Sequence, residues 1–232
     1  MSSFLVTGGT GFIGAELVYT LIKSGHNVIV LTRDIAKANQ AILGGVSFID
    51  SLSSLPDRTD IDVIINLAGE GIADERWTNR RKKILYKSRI GVTNDLVTLV
   101  ARLQEKPKVM ISGSAIGYYG AQDDSPLDEN AEANIEYTHE LCKQWEEAAE
   151  IIKQYGVRLC IARLGLVLEK HGGILNKMFP AVKLCLAGRI GDGDQIMSWI
   201  HLYDAVKAII FLVENESCEG VYNLTTIKSV SN

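Results

Sequence analysis

Residues Phe4-Leu5-Val6-Thr7-Gly8-Gly9-Thr10-Gly11-Phe12-Ile13-Gly14 form an apolar run that enters a glycine turn and leaves it as a helix predicted over 15–23. A strand, a tight turn and a helix in that order aim a helix N-terminus across the end of the strand. Its orphan N–H groups and macrodipole there attract an anion. The glycines satisfy two registers, Gly9-x-Gly11-x-x-Gly14 and Gly8-x-x-Gly11-x-x-Gly14. One glycine permits the turn, the next lets the backbone approach phosphates, and Gly14 lets the helix close onto the sheet. The expected ligand is the pyrophosphate of a dinucleotide.

The second strand, predicted over 27–31, ends in Thr32-Arg33-Asp34, about twenty residues past the glycines. An acidic residue at that tip holds a ribose 2′-hydroxyl, whereas a basic one accommodates a 2′-phosphate. Arg33 therefore points to NADP (NADPH), because a guanidinium grips phosphate with two donors. The competing reading makes Asp34 the ribose ligand and NAD the coenzyme.

Composition narrows the partners. With 232 residues, 47% hydrophobic and 22% charged, the chain can bury a sizeable core. A net charge of −4 supplies no electrostatic footprint for nucleic acid. The basic run Arg80-Arg81-Lys82-Lys83 reads as a solvated helix face, with a phosphate-binding patch as the alternative. Cys142, Cys160, Cys185 and Cys218 are scattered without a C-x-x-C pair, so no metal site is expected and reduced thiols in a cytoplasmic protein are. No apolar run approaches the ~18 residues of a membrane span, and no signal peptide is expected, because Phe4 to Val6 lead straight into the glycine turn.

Short Val- and Ile-rich runs at 4–6, 28–31, 46–49, 63–67, 109–111 and 159–164 alternate with helical stretches at 15–23, 35–42, up to 103, and 137–154. That alternation predicts βαβ units and an α/β fold: a Rossmann-type, doubly wound parallel sheet covered on both faces. Residues 1–164 form the expected dinucleotide-binding domain. From Gly165 the pattern changes: Gly172, Gly173, Gly188, Gly191 and Gly193 frame an apolar helix predicted over 174–186. Residues 165–232 are expected to be part of a small substrate lobe interleaved with late sheet elements, a helix over 203–213 and a strand over 221–224. The chain stops soon after that strand, so a further C-terminal segment of the lobe is expected.

The glycine turn, Asn66-Leu67-Ala68-Gly69, Ser112-Gly113-Ser114 with Tyr119-Gly120, and Trp199-Ile200-His201 together resemble the extended short-chain dehydrogenase/reductases of nucleotide-sugar epimerase type. Asn66-Leu67-Ala68-Gly69-Glu70, Arg76-Trp77, Lys87-Ser88-Arg89, Gly117-Tyr118-Tyr119-Gly120, Trp145-Glu146 and Ser198-Trp199-Ile200-His201 are similar to the atypical, YfcH-like epimerase group within the NAD-dependent epimerase/dehydratase superfamily. The resemblance spans essentially the whole chain. It implies a further C-terminal segment of roughly sixty residues. It also implies pyrophosphate contacts at Gly8, Thr10, Gly11, Phe12, Ile13 and Gly14, and a 2′-phosphate contact at Arg33. Leu67, Ala68 and Gly69 would lie against the nicotinamide-side ribose. Arg89 would reach the coenzyme phosphates, unless it serves as a helix-face ion pair. Asn66 is expected to fix a neighbouring loop.

In that superfamily a Tyr-x-x-x-Lys helix and a serine do the proton chemistry while hydride moves to or from the nicotinamide. Ser114 matches the serine; the tyrosine does not appear. Two registers remain on the helix ending in Trp145-Glu146. One sets Thr138 with Cys142 at the pair, and the other sets His139 with Lys143. The literal matches Tyr19 to Lys23 and Tyr203 to Lys207 fall on the wrong helices. Tyr118 and Tyr119, on the loop after the fifth strand, are the remaining acid candidates, and aromatic packing is the competing role. Glu70, Trp199 and His201 are candidate substrate contacts. The resulting expectation is an NADP(H)-binding oxidoreductase or epimerase-like enzyme acting on an unidentified small molecule. The alternative is a coenzyme-binding regulator or scaffold that has lost catalysis. Oligomeric state is not readable from these residues.

Overall fold

The computed structural model describes residues 1–231 except 42, 43, 124, 171, 174, 177, 178, 180–182, 184–187, 189–192 and 194. In chain order the main elements are β1 (Ser3–Thr7), α1 (Phe12–Lys23), β2 (Asn27–Leu31), α2 (Ile35–Ala41), β3 (Val46–Ile49), β4 (Val63–Asn66) and α3 (Asn79–Tyr86). They continue with α4 (Val92–Arg102), β5 (Val109–Ala115), α5 (Tyr137–Glu150), β6 (Arg158–Leu164) and β7 (Leu166–Glu169). The last are β8 (Ile196–Met197), β9 (Trp199–His201), α6 (Leu202–Glu214), β10 (Gly220–Leu224) and β11 (Val230–Ser231).

Seven strands form one sheet in the order β10-β6-β5-β4-β1-β2-β3, and every neighbouring pair in it is parallel. The side chains explain why both faces are covered. Along β1, Phe4 and Val6 join the core beneath α1 and α6, while Leu5 joins the core beneath α4. The same alternation divides Val63 and Ile65 from Ile64, and Val109 and Ile111 from Met110. Strands apolar on both faces are what a helix-sandwiched parallel sheet requires. Leu5 is fully buried, so truncation to Ala would cost about 2–5 kcal/mol. The strand order reverses between β1 and β4, and such a switch point opens a crevice at the carboxyl ends of the strands.

Several boundaries differ from the sequence expectation. The first helix begins at Phe12, one residue after the glycine turn, with Gly11 as its extended N-cap. The fifth strand runs on through Ser112-Gly113-Ser114 to Ala115, because Ser114 and Ala115 pair with Arg163 and Leu164 of β6. The long helical region before residue 103 is broken by a π-turn at Lys87–Gly91. The helix after residue 137 tightens into a 3-10 turn at Ile151–Tyr155 and ends at Gly156, whose φ of 75° is left-handed. The helix expected over 174–186 falls mostly outside the described residues, as do Cys185 and Gly191. Among the described residues no helix is long and apolar enough to cross a membrane.

Candidate functional site

The glycine turn lies at the switch point, and its glycines are required by space. Gly8 has a φ of 68°, and a Cβ on it would overlap the Leu67 carbonyl at the tip of β4. A Cβ on Gly14 would overlap the Gly8 carbonyl oxygen, so helix α1 rests directly on the turn. The Gly11 N–H donates to that same carbonyl at 2.9 Å, which tightens the loop. Gly11, the N-cap of α1, has no side chain with which to cap its first turn. Uncapped N–H groups beside backbone that no side chain obstructs make a cradle that fits a dinucleotide pyrophosphate. The Phe12 ring packs against Gly172 and Gly173, where a Cβ would overlap it, so a hairpin from beyond β7 touches the opening of α1.

At the β2 tip, the Asp34 carboxylate accepts a 2.9 Å hydrogen bond from the Lys37 N–H and so caps α2. Arg33 extends into solvent with its side chain 91% exposed, and its Nη1 pairs with Glu70 Oε1. The loop carrying Glu70 is held from behind. Asn66 accepts from Thr7 Oγ1 at 2.6 Å and from the Ala68 N–H at 3.4 Å, and donates to Thr93 Oγ1 at 2.8 Å. It fixes the loop, as its place in the sequence suggested. The Glu70 N–H donates to Ser88 Oγ at 3.1 Å, and Arg89 Nη2 donates to the Glu70 carbonyl at 2.9 Å. Ser88 and Arg89 lie within the π-turn, whose extra residue changes the helical phase there. Arg89 also donates to the Leu85 carbonyl and lies close behind Gly69, so it holds the Gly69-Glu70 part of the loop.

At the tips of β5 and β6 the side chains build a buried polar chain. Ser114 Oγ, in a residue 3% exposed, donates to Glu146 Oε1 at 2.6 Å. Arg163 grips the same carboxylate through Nε and Nη2, both at 2.9 Å. Its Nη1 donates to Tyr119 Oη at 3.0 Å, and Tyr119 Oη donates to Asn223 Oδ1 at 2.7 Å. The Tyr118 ring lies 3.4 Å from the Arg163 guanidinium carbon. Burial works against the Arg163 charge, but the hydrogen bonds to Glu146 and Tyr119 outweigh it and hold the proton more firmly than in a free guanidinium. Tyr119, 3% exposed, is thereby engaged in the fold, whereas Tyr118 is half-buried.

Helix α5 presents the two candidate pairs differently. Thr138 and Cys142 face Gly117 on the loop after β5. His139 is buried against Tyr118, with Nδ1 2.6 Å from the Tyr118 carbonyl oxygen and the two rings 5.0 Å apart, and Lys143 is exposed. His139 and Lys143 thus lie in different surroundings, one buried and one in solvent. Burial, then the Glu146 charge, pushes the Cys142 thiol above the usual range, so it stays protonated near neutrality.

Trp199 stands on β9 opposite Leu166 of β7, with a buried indole N–H that has no hydrogen-bond partner among the described residues. His201 caps α6 by accepting from the Tyr203 N–H at 3.2 Å, and its Nε2 lies 3.2 Å from Glu169. Sequence reasoning missed Arg163, Asn223 and the role of Glu146. A signal existed for two of them. Glu146 follows Cys142 by one helical turn on an apolar stripe, and Arg163 is a charge near the end of an apolar strand.

The sequence profile of the NAD dependent epimerase/dehydratase family matches residues 4–225. An epimerase family protein of Staphylococcus aureus strain MW2 is 37% identical over 226 residues, covering 97% of this chain and 75% of that protein. One from Staphylococcus haemolyticus is 33% identical with the same coverage. Among solved structures, the human epimerase family protein SDR39U1, crystallised with NADPH, superposes with a TM-score of 0.87 at 29% identity, over 99% of this chain and 76% of that one. A nucleoside-diphosphate sugar epimerase from Corynebacterium glutamicum gives 0.83 at 27% identity, over 99% of this chain and 47% of that one. With the cradle, the parallel sheet and these matches in hand, the chain belongs to the NAD dependent epimerase/dehydratase family, on its atypical short-chain dehydrogenase branch.

Proposed function

We propose that this protein is an NADP(H)-dependent oxidoreductase or epimerase-like enzyme acting on a small carbonyl or nucleotide-sugar substrate. The observation that carries the reading is the cradle of Gly8 to Gly14, whose helix opening has neither a side-chain cap nor room for a Cβ on the turn. The family assignment and the NADPH in the human relative's crystal structure support it. The preference for NADPH rests on two neighbouring side chains: Arg33 reaches into solvent, while Asp34 is engaged in capping α2. Bound, the nicotinamide would supply or accept a hydride.

In this reading Gly8, Thr10, Gly11, Phe12, Ile13 and Gly14 hold the pyrophosphate, Arg33 meets the 2′-phosphate, and Leu67, Ala68 and Gly69 line the ribose, steadied by Arg89. Tyr118 is the proton donor facing substrate, oriented by stacking on Arg163. Ser114 lines the same wall, with its hydroxyl proton directed at Glu146 and its lone pairs left to accept. Tyr119 is a positioning residue, because its hydroxyl joins Arg163 to Asn223. The indole N–H of Trp199 is a donor for substrate, and His201 with Glu169 shapes that edge. The buried, neutral Cys142 supplies no cation beside a phenol, so proton transfer relies on Tyr118 and solvent. The relatives are epimerase family proteins, which does not favour the regulatory alternative.

Calorimetry with NADPH and NADH tests the coenzyme, and the expected result is tighter NADPH binding that weakens in Arg33→Ala. Turnover is tested by following NADPH oxidation over a panel of carbonyl compounds and nucleotide sugars. Activity that falls in Tyr118→Phe supports the enzyme. No activity across the panel, with coenzyme bound, overturns it in favour of the regulator.

A further inference from the structure

The run Arg80-Arg81-Lys82-Lys83 is not the uniform solvated face that its composition suggests. Arg80 and Lys83 are exposed, but the Arg81 side chain retains 6% of its exposure and is turned toward the loop after β4. The burial is costly twice over. Arg81 stands in the first turn of α3, where the helix dipole disfavours a cation, and a buried guanidinium needs a full set of acceptors. It does not have one. Nη2 donates to the Gly71 carbonyl at 2.7 Å, while carboxylate oxygens of Glu70 and Glu75 stand 3.6 and 3.9 Å from Nη1, beyond hydrogen-bond reach. Nε is buried with no hydrogen-bond partner among the described residues.

Glu70 connects this guanidinium to the coenzyme end of the site. Its Oε1 pairs with Arg33, and its Oε2 is the oxygen nearest Arg81. Arg33 comes from the tip of β2 and Glu70 from the loop after β4. Those two strands flank β1, so the ion pair reaches across the strand that carries the glycine turn. Two guanidiniums thus converge on Glu70, with Glu75 as a further, exposed carboxylate 3.9 Å from Arg81 and the Asp74 carboxylate beside Gly71, so what Arg81 lacks is a close hydrogen-bond acceptor at Nε rather than negative charge. A phosphate monoester brings three terminal oxygens that can accept from such a donor.

We infer that Arg81 is a second arm of the 2′-phosphate site, and that Glu70 is a displaceable carboxylate holding the two arms together until a 2′-phosphorylated adenine dinucleotide arrives. The inference rests on the NADPH reading of the cradle. Displacement is easy at the Arg33 end, because an exposed ion pair of this kind contributes little. What the phosphate gains is Arg81, already desolvated and short of acceptors. Glu70 then tunes coenzyme choice: its charge opposes a 2′-phosphate and is compatible with the 2′-hydroxyl of NADH, to which a carboxylate can accept a hydrogen bond.

Calorimetry on the full chain with NADPH, NADH, and the fragments 2′,5′-ADP and 5′-AMP tests this. Glu70→Gln is expected to tighten NADPH and 2′,5′-ADP about tenfold while NADH and 5′-AMP change less than about twofold. Arg81→Met is expected to weaken NADPH and 2′,5′-ADP about tenfold and spare NADH. Arg81→Lys, which keeps the charge but loses the fork, should fall between the two. Thermal melts of each variant identify any loss of folding, and Glu70→Gln alone decides the matter if both Arg81 variants unfold. NADPH affinity that is unchanged in Glu70→Gln, or Arg81 variants that fold and weaken both coenzymes equally, overturns the second arm and leaves the cradle standing. No heat with either coenzyme on the unmodified chain overturns the cradle reading, and the second arm with it.

Discussion

The two ends of the crevice are built in opposite ways. At the β1 and β2 tips the backbone makes the site, and the decisive contacts lie between Gly8, Gly11 and Gly14, close in sequence. At the β5 and β6 tips side chains make it, through hydrogen bonds that join residues 32, 44 and 104 positions apart. The first end is a backbone shape complementary to an anion, flanked by the ion pair of Arg33 and Glu70. The second is a closed electrostatic chain from Ser114 through Glu146 and Arg163 to Tyr119 and Asn223. A steric site should fail by losing ligand, whereas an electrostatic one should fail by losing stability.

Glu146→Gln should break that comparison most forcefully. It leaves Arg163 buried without its counter-charge, and removing one partner of a buried pair costs about 3–5 kcal/mol. Urea denaturation should show that loss while NADPH affinity, measured where the variant remains folded, changes less than about twofold. A large fall in affinity would mean that the two ends are not separable. Gly14→Ala is the converse. Its Cβ must push the Gly8 backbone aside, and overpacking of this kind costs about 1–3 kcal/mol. NADPH binding is expected to be lost altogether in a protein that still folds, as calorimetry together with circular dichroism would show.

The two ends also differ in how far the sequence reveals them. The cradle, the strand alternation and the Arg33 tip were legible because each depends on a local pattern: a glycine spacing, a period of two, a residue at a strand end. The reach of β5 to Ala115 was not, since Ser112, Gly113 and Ser114 have little strand preference and are extended by pairing with β6. Arg81 was read as solvated because neighbouring charges usually are, and only the path of the loop after β4 buries it. Arg163 and Asn223 became partners of Tyr119 only when β6 and β10 came together. Ser114 was marked by the resemblance and Tyr119 by its place on the loop after the fifth strand, but the hydrogen bonds of both join residues distant in sequence.

Asn66 links the two ends and offers a finer test. It holds Thr7 at the end of β1 and Thr93 on α4, and Thr93 in turn accepts from the Trp145 indole on α5. Asn66→Ala leaves buried donors and acceptors without partners, at about 1–3 kcal/mol. If the loop after β4 transmits strain to the cradle, NADPH affinity should drop a few-fold as well. An unchanged affinity would confine Asn66 to stability and sharpen the division between steric and electrostatic halves.

The smallest expected effect concerns pH. Burial, then the neighbouring Glu146 charge, raises the Cys142 thiol above its unfolded value, and burial raises Cys160 in the same direction. A group that holds its proton more tightly when folded adds stability that is complete below the unfolded pKa and is lost as pH rises through the folded one. Stability should therefore fall from about pH 9 upward, where an unfolded thiol ionises and the folded one cannot follow. Cys142→Ala removes one such group. Its absolute stability at neutral pH shifts with packing, so the informative quantity is the slope of unfolding free energy between pH 8 and about pH 10.5. A shallower alkaline slope than in the unmodified chain is expected. An identical slope would mean that Cys142 ionises freely in the fold, and that the electrostatic half of the crevice is open to solvent beside Ser114.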